Sequence, residues 1–454
     1  MRYQNDIEKM NTNKNLFLMS LPIFVELLLQ LLVGNVDQMM VSRVSQKSVA
    51  SIVNANQIMN LIIIVLSMAS TAVTVILSQY LGAEDEENAS RTCMVSVVMI
   101  GLVSIVSTVL VFAGHVPLYK ALHVPEEIFD EASLYLLIVG SLIIVQGLYL
   151  TFSAIIRAFA MMKEVMVVSI IMNVLNIIGN AILINGWFGL PQLGAVGAAI
   201  STDISKVVGL VLMILLFAKR TGVKMGFRYL VPFPVGILKN LCLLAIPTGI
   251  ESFSYNLSQM IILGIVNSFG TMVTVTKGYC SIFANIDYVY AMAIATATQI
   301  VMGYLIGAKK IDLIEKRVNA TLKVALAACV GMAVLLFAGS NYVFLIFTDN
   351  PEIIELGRRI LFIEIFLEIG RAVNIVMTKC LIAAGDAVTP TVVGVAFQWG
   401  VAAAGAWLFG LVFNWGLEGV WIAMAVDECL RGLIFVIHFK RERWKKNFRS
   451  VETA

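Results

Sequence analysis

Charge is scarce in this chain. Only 13% of its 454 residues are Asp, Glu, Lys or Arg, against about a quarter in a soluble domain. Apolar residues make up 59% and the mean hydropathy is +0.90, more apolar surface than a soluble fold of this length can bury, so lipid is the solvent for most of it. Histidine is nearly missing: His115, His123 and His438 sit near predicted helix ends and form no metal constellation. The six cysteines (Cys93, Cys242, Cys280, Cys329, Cys380, Cys429) have no close pairing and no CxxC spacing; they read as small core residues rather than a disulfide framework or a metal knuckle. The chain has no GxxxxGK[ST] loop and no soluble domain to hold a nucleotide, so any work it does must draw on an ion gradient, with no cofactor. It shows neither a clustered nucleophile of an enzyme nor a filter motif of a channel. The polar start, MRYQNDIEKMNTNKN, runs into an apolar segment without a small-residue cleavage site. This predicts a cytoplasmic tail and a retained first helix rather than a secretory signal.

What is present is a series of apolar stretches long enough to span a bilayer, each about twenty residues. Twelve are expected, over 16–42, 49–81, 92–114, 132–157, 165–186, 195–218, 240–268, 279–306, 324–347, 360–384, 390–413 and 419–439. Basic residues test this layout. With both termini inside, twenty-two Lys and Arg fall on inner segments and six (Arg43, Lys47, Lys120, Lys277, Arg358, Arg359) on outer ones. The bias fixes the expected orientation, both termini cytoplasmic. It also accounts for the basic clusters as span flanks, not as a nucleic-acid surface.

The second half repeats the first. LPIFVE (21–26) matches IPTGIE (246–251), QYLGA (79–83) matches YLIGA (304–308), VPEEIFDEA (124–132) matches NPEIIELGR (350–358), and LGAVGAAIST (193–202) matches LEGVWIAMAV (417–426). The last match aligns Asp203 with Asp427. Because six spans per half is an even number, the halves share one orientation and a pseudo-two-fold axis along the membrane normal. The expected fold is an all-α integral membrane protein of twelve transmembrane helices in two parallel-repeat six-helix bundles. An N-terminal lobe covers 1–218, a basic cytoplasmic linker 219–239, and a C-terminal lobe 240–454 ends in a basic cytoplasmic tail. Two parallel bundles with a cleft between them is a common plan of alternating-access carriers.

Ionisable groups inside spans are costly and usually face a cavity or a partner. Asp37 lies in the first span and suits a proton or a single Na+, the only metal the residues suggest. Glu251 follows Pro247 by four residues; its repeat mate Glu26 sits near the inner end of its own span, and both have an alternative as interfacial carboxylates. Glu364, Glu368 and Arg371 are spaced by four and three, along one helix face, which reads as an internal ion pair or a cavity wall. Asp287 is a further candidate. Asp203 with Lys206 and Asp427 with Arg431 read as structural salt bridges. The 22 Met and 24 Phe suit a cavity for apolar cations, or simply lipid and helix packing.

Several local patterns together resemble the multidrug and toxic compound extrusion (MATE) family over essentially the whole chain. GNVDQMMVS (34–42) resembles its Asp-x-x-x-Val element, LNIIGNAILI (175–184) its fifth-helix pattern, LGAVGAAIST its sixth-helix opening, and LIAAGDAVTP (381–390) its Gly-Asp-x-x-x-Pro turn. The resemblance implies an antiporter exporting small organic, drug-like cations in exchange for H+ or Na+, with Asn176, Asn180 and Thr202 gathered around Asp37 as the ion-coupling set. Glu251, Asp287, Glu364, Glu368 and Arg371 are then the substrate-cavity candidates. It further implies a monomer in contact with membrane lipid, in a bacterial inner membrane. The sequence departs from the family at three places: Asn180 stands at the fifth-helix acid, Arg371 at an acid some relatives carry in the tenth helix, and RAFAMM (157–162) lacks the usual turn glycine. Related flippases share the broad fold, so a flippase or exporter of a lipid-linked or polar metabolite is the alternative.

Overall fold

The computed structural model describes residues 4–42, 44–189, 191–442 and 444–445. They are helical with no strand among them. The helices that matter here are α1 (Asn13–Ser42), α2 (Gln46–Gly82), α3 (Glu86–Ala121), α4 (the pair Glu126–Ser141 and Ile143–Ala158), α5 (Met162–Asn185) and α6 (Gly194–Arg220). After them come α7 (Val235–Asn267), α8 (Thr271–Gly307), α9 (Asp312–Ala338), α10 (Pro351–Ala383), α11 (Val388–Val412) and α12 (Gly416–Lys440).

Among the described residues nine of these are apolar and long enough to span a bilayer, and α4 makes a tenth when its two pieces, bent by 46°, count as one. The remaining two, α10 and α12, are long enough but carry charge: Glu364, Glu368, Arg371 and Lys379 on one, Asp427, Glu428 and Arg431 on the other. The twelve expected spans are therefore all present, each helix beginning before the apolar run that signalled it. Caps explain several of the extensions. Ser45 accepts a hydrogen bond from the Ser48 amide, Asp85 from that of Asn88, and Asn350 from that of Glu352 ahead of Pro351, so polar first turns are wound into helix that hydropathy alone does not register.

By contacts the chain falls into two compact units, residues 25–245 and residues 1–24 with 246–454. The first has an apolar core of Ile52, Leu66, Ile100, Leu136 and Ile143 and their neighbours; the second is centred on Ile262, Phe283, Phe344, Leu367 and Trp421. The backbone repeats as the sequence does. Residues with positive φ recur at an offset of 225: Glu84 (57°) and Lys309 (57°), Ala160 (60°) and Gly385 (86°), Gly189 (81°) and Asn414 (56°). Ala160 thus holds the left-handed turn conformation where a glycine would sit more easily. The opening of the last helix in each half corrects the sequence alignment. Gly194 (55°) matches Gly416 (59°), and the missing side chains of Gly197 and Gly419 each make room for a carbonyl, of Leu183 and Phe409. The offset there is 222, so Asp203 and Asp427, aligned by letter, are not equivalent positions.

In the second unit α10 packs on α12, α8 and α9. The α10–α12 approach depends on Gly370: a Cβ there would lie 2.4 Å from the Cys429 amide nitrogen and 2.7 Å from the Glu428 carbonyl carbon. Those are backbone atoms of a packed helix and cannot step aside. Gly370→Ala is therefore expected to lower stability by roughly 1–3 kcal/mol, seen as a lower melting temperature in detergent. An unchanged melt would mean that the two helices are free to separate.

Candidate functional site

The predicted site residues fall into one polar set in the first unit and one charged set in the second. In the first, α5 carries a buried polar stripe, Ser169, Asn173, Asn176 and Asn180, spaced by four, three and four so that they share a face. Asn176 Nδ2 donates to Thr202 Oγ1 on α6 at 3.1 Å, Asn180 Nδ2 to Asn176 Oδ1 at 3.4 Å, and Ser201 Oγ to the Asn176 carbonyl at 2.9 Å. Three of the four expected ion-coupling residues are thus brought together. The fourth, Asp37, lies within α1, but its side chain falls outside the described residues. Ser169 and Asn173 extend the set and were readable only as polar letters recurring every three or four residues in an apolar span. Glu26 is buried and accepts from Arg157 Nη2 at 2.5 Å, an ion pair between α1 and α4.

The second unit concentrates charge. On α10, Arg371 Nη1 donates to Glu364 Oε1 at 3.0 Å and also to Glu368, the ion pair expected from their spacing. Trp421 Nε1 on α12 donates to Glu364 Oε2 at 2.6 Å. Asp287 on α8 is buried within electrostatic reach of Glu364 and Arg371. One oxygen each of Asp287 (Oδ2) and Glu368 (Oε2) is buried with no hydrogen-bond partner among the described residues. On α12, Arg431 Nη2 donates to Asp427 Oδ2 at 2.5 Å and to Glu428 Oε1 at 2.8 Å, and Glu428 Oε2 accepts from Asn374 Nδ2 of α10 at 2.6 Å. Glu251 on α7 accepts from Gln398 Nε2 on α11 at 2.8 Å; Gln398 Oε1 accepts from Ser254 Oγ at 2.8 Å, and Ser254 Oγ accepts from Trp399 Nε1 at 3.0 Å. Adjacent residues Gln398 and Trp399 both reach Ser254 where α11 is wound as π-helix, over Gln398–Ala403 and again over Ala406–Val412. Such winding is often found at functional sites.

Sequence reasoning missed Glu428, Asn374, Gln398 and Trp421. Glu428 and Arg431 are three apart, a signal as good as the i,i+4 spacing that singled out Asp427. The others are uncharged, and their partners lie 54, 147 and 57 residues away.

Within the expected spans of these helices lie six carboxyl groups (Glu251, Asp287, Glu364, Glu368, Asp427, Glu428), two guanidinium groups (Arg371, Arg431) and Lys379. A medium of low dielectric does not hold that excess as bare negative charge, so protons or cations must share the site. Asp386, in the turn after α10, stands apart. Its Oδ1 accepts from the Thr389 amide at 3.1 Å and its Oδ2 from His438 Nε2 at 2.9 Å, tying the start of α11 to the end of α12. Asp386→Asn is expected to lower stability by about 0.5–1.5 kcal/mol and to leave substrate affinity unchanged. A large loss of affinity in a normally folded variant would contradict this structural role.

Twelve long helices in a repeated arrangement, most of them apolar enough to span a bilayer and some with charge held inside them, fit a polytopic membrane transporter. The MatE family model matches residues 22–182 and 247–408, one copy per half, and the chain belongs to this family of multidrug efflux transporters. It is 36% identical over 430 residues to an uncharacterised transporter, YisQ, of Bacillus subtilis, covering 95% of this chain and 94% of that protein. It is 25% identical over 435 residues to a probable multidrug resistance protein, NorM, of Thermotoga maritima, covering 95% and 93%. Among solved structures, a MATE transporter in a bent conformation matches with a TM-score of 0.89 at 17% identity, over 98% of this chain and 99% of that one. The Vibrio cholerae MATE transporter VcmN, in a mutant form, matches at 0.89 and 20% over the same shares. Those two likenesses support the fold.

Proposed function

We propose that this chain is a secondary antiporter that exports small organic cations in exchange for H+ or Na+ by alternating access, as a monomer in a bacterial inner membrane with both termini cytoplasmic. The observation that carries the cationic substrate is the excess of buried carboxyl groups over basic groups around Glu251, Asp287, Glu364 and Glu368. A cation entering that cluster replaces protons or ions already there, so substrate and coupling ion compete even where they do not touch. Asp37 with Asn176, Asn180 and Thr202 forms the ion-coupling set. With Asn180 uncharged, these four residues supply one negative charge, which suits one proton or one Na+ rather than a divalent ion. Arg371, beside Glu364 and Glu368, supports a second reading: a buried guanidinium suits an anionic or polar metabolite, as in a flippase or metabolite exporter.

The test is reconstitution in liposomes with a pH gradient or a Na+ gradient imposed separately, following a fluorescent organic cation. Gradient-driven efflux under one of the two is the expected result. Efflux under neither, with an anionic substrate transported instead, would favour the second reading.

A further inference from the structure

Where α3 begins at Glu86, α6 ends at Arg220 and α7 begins at Val235, the strap between α6 and α7 folds over the start of α3. The ends of three membrane spans meet here, which puts this region at the boundary of bilayer and water. Between strap and helix lies a cleft of about 560 Å3. Its charged lining is mixed: Lys224 and Arg228 from the strap, and Arg91, Glu86 and Glu87 from α3. Two of these already have a use for each other, because Arg91 Nη2 pairs with Glu87 Oε1 at 2.7 Å. The Arg91 Nε is buried with no hydrogen-bond partner among the described residues. Arg228 lines the cleft and lies over the Tyr229 ring, 4.6 Å from its centroid. Beside this charged cleft the strap exposes large apolar side chains. Phe227 is 84% exposed and Val231 76%, with Phe233 and Val235 also exposed, an arrangement unfavourable in water and favourable against acyl chains.

The mixture of charges selects the ligand chemistry. A purely anionic headgroup would meet Glu86 and Glu87 as well as the basic residues. A headgroup with both a phosphate and a primary ammonium satisfies both signs, and the neighbouring apolar side chains call for a molecule with acyl chains.

We propose that this cleft binds an aminophospholipid headgroup, its phosphate on Lys224 and Arg228 and its ammonium on Glu86, with its chains against Phe227 and Val231. In the orientation proposed above the lipid belongs to the cytoplasmic leaflet. Bound there, it ties the strap to the start of α3.

The experiment is native mass spectrometry of the full chain in detergent, titrated in parallel with phosphatidylethanolamine, phosphatidylglycerol and phosphatidylcholine. One phosphatidylethanolamine is expected to be retained in preference to phosphatidylglycerol, which has no ammonium, and to phosphatidylcholine, whose methylated ammonium cannot donate to Glu86. The double variant Lys224→Gln/Arg228→Gln should weaken that binding roughly thirtyfold, since each basic residue near a headgroup contributes about fivefold. Glu86→Gln should abolish the preference over phosphatidylglycerol while keeping the phosphate contact. All three side chains are on exposed or loop positions, so these variants should melt as the parent does. Equal retention of the three lipids by the parent, which needs no variant, would overturn the proposal. So would unchanged phosphatidylethanolamine binding in the double variant. Displacement of the lipid by an equal concentration of free phosphoethanolamine would overturn the assignment to a lipid in favour of a soluble phosphate ester.

Discussion

Arg371→Met is expected to destabilise the second unit by roughly 3–5 kcal/mol, the usual consequence of removing one partner from a buried ion cluster. The arginine donates to Glu364 and to Glu368, and Asp287 lies close by with one oxygen already lacking a hydrogen bond. Without the guanidinium, three acidic groups share one region of α8 and α10 with no adjacent cation. They can remain only by taking up protons or ions. Methionine replaces the volume and little else, so the loss reads as electrostatic rather than as a cavity. Two measurements separate this from general fragility. Adding Glu368→Gln to Arg371→Met should restore part of the melting temperature, because it removes one of the stranded charges. Moderate salt should change the parent's stability little, since the pair is screened far less than a surface pair. A melt of Arg371→Met within about 0.5 kcal/mol of the parent, the ordinary scatter of surface substitutions, would show that the cluster is already neutralised by other means.

The limits of the sequence reading follow from what a single chain encodes locally. Long apolar runs report spans directly, and Glu364, Glu368 and Arg371 reveal their pairing because helical spacing is itself a distance. Nothing local says that Trp421 meets Glu364 or that Gln398 meets Glu251, because each pair joins different helices across dozens of residues. The π winding of α11 was equally hidden. Its sequence, QWGVAAAGAWLFGLV, is apolar throughout after Gln398, so a change of period moves no further polar letter out of place. The repeat shows the same limit in reverse. Matching letters placed Asp203 against Asp427, whereas backbone conformation at Gly194 and Gly416 sets the register two residues away. The acidic start of α3 lies outside the apolar run because polar letters lower hydropathy, although the Asp85 cap winds them into helix.

Asp37→Asn is expected to fold and to lose gradient-driven efflux by roughly 5–150-fold, the range of an ordinary coupling free energy between sites. Asn176, Asn180 and Thr202 already form a hydrogen-bonded chain on the facing surfaces of α5 and α6, with Asn180 fully buried. Amides and a hydroxyl can stabilise either a protonated acid or a small hard cation, but they bring no charge of their own. The single charge that couples the gradient would then come from Asp37, and an amide there leaves a network with nothing to titrate and no anionic ligand. If substrate binds in the second unit as proposed, that binding should survive, so equilibrium exchange of labelled substrate without a gradient should continue while uphill efflux falls. Asn180→Asp supplies the complementary observation. It places a second acid one helical turn from Asn176 and should change the pH or Na+ dependence of efflux without abolishing it. If Asp37→Asn drove efflux as the parent does, with the same ion dependence, the coupling charge would have to lie among the acids of the second unit. Glu251 would be the next to test, because its bond to Gln398 ties it to the π-wound stretch of α11.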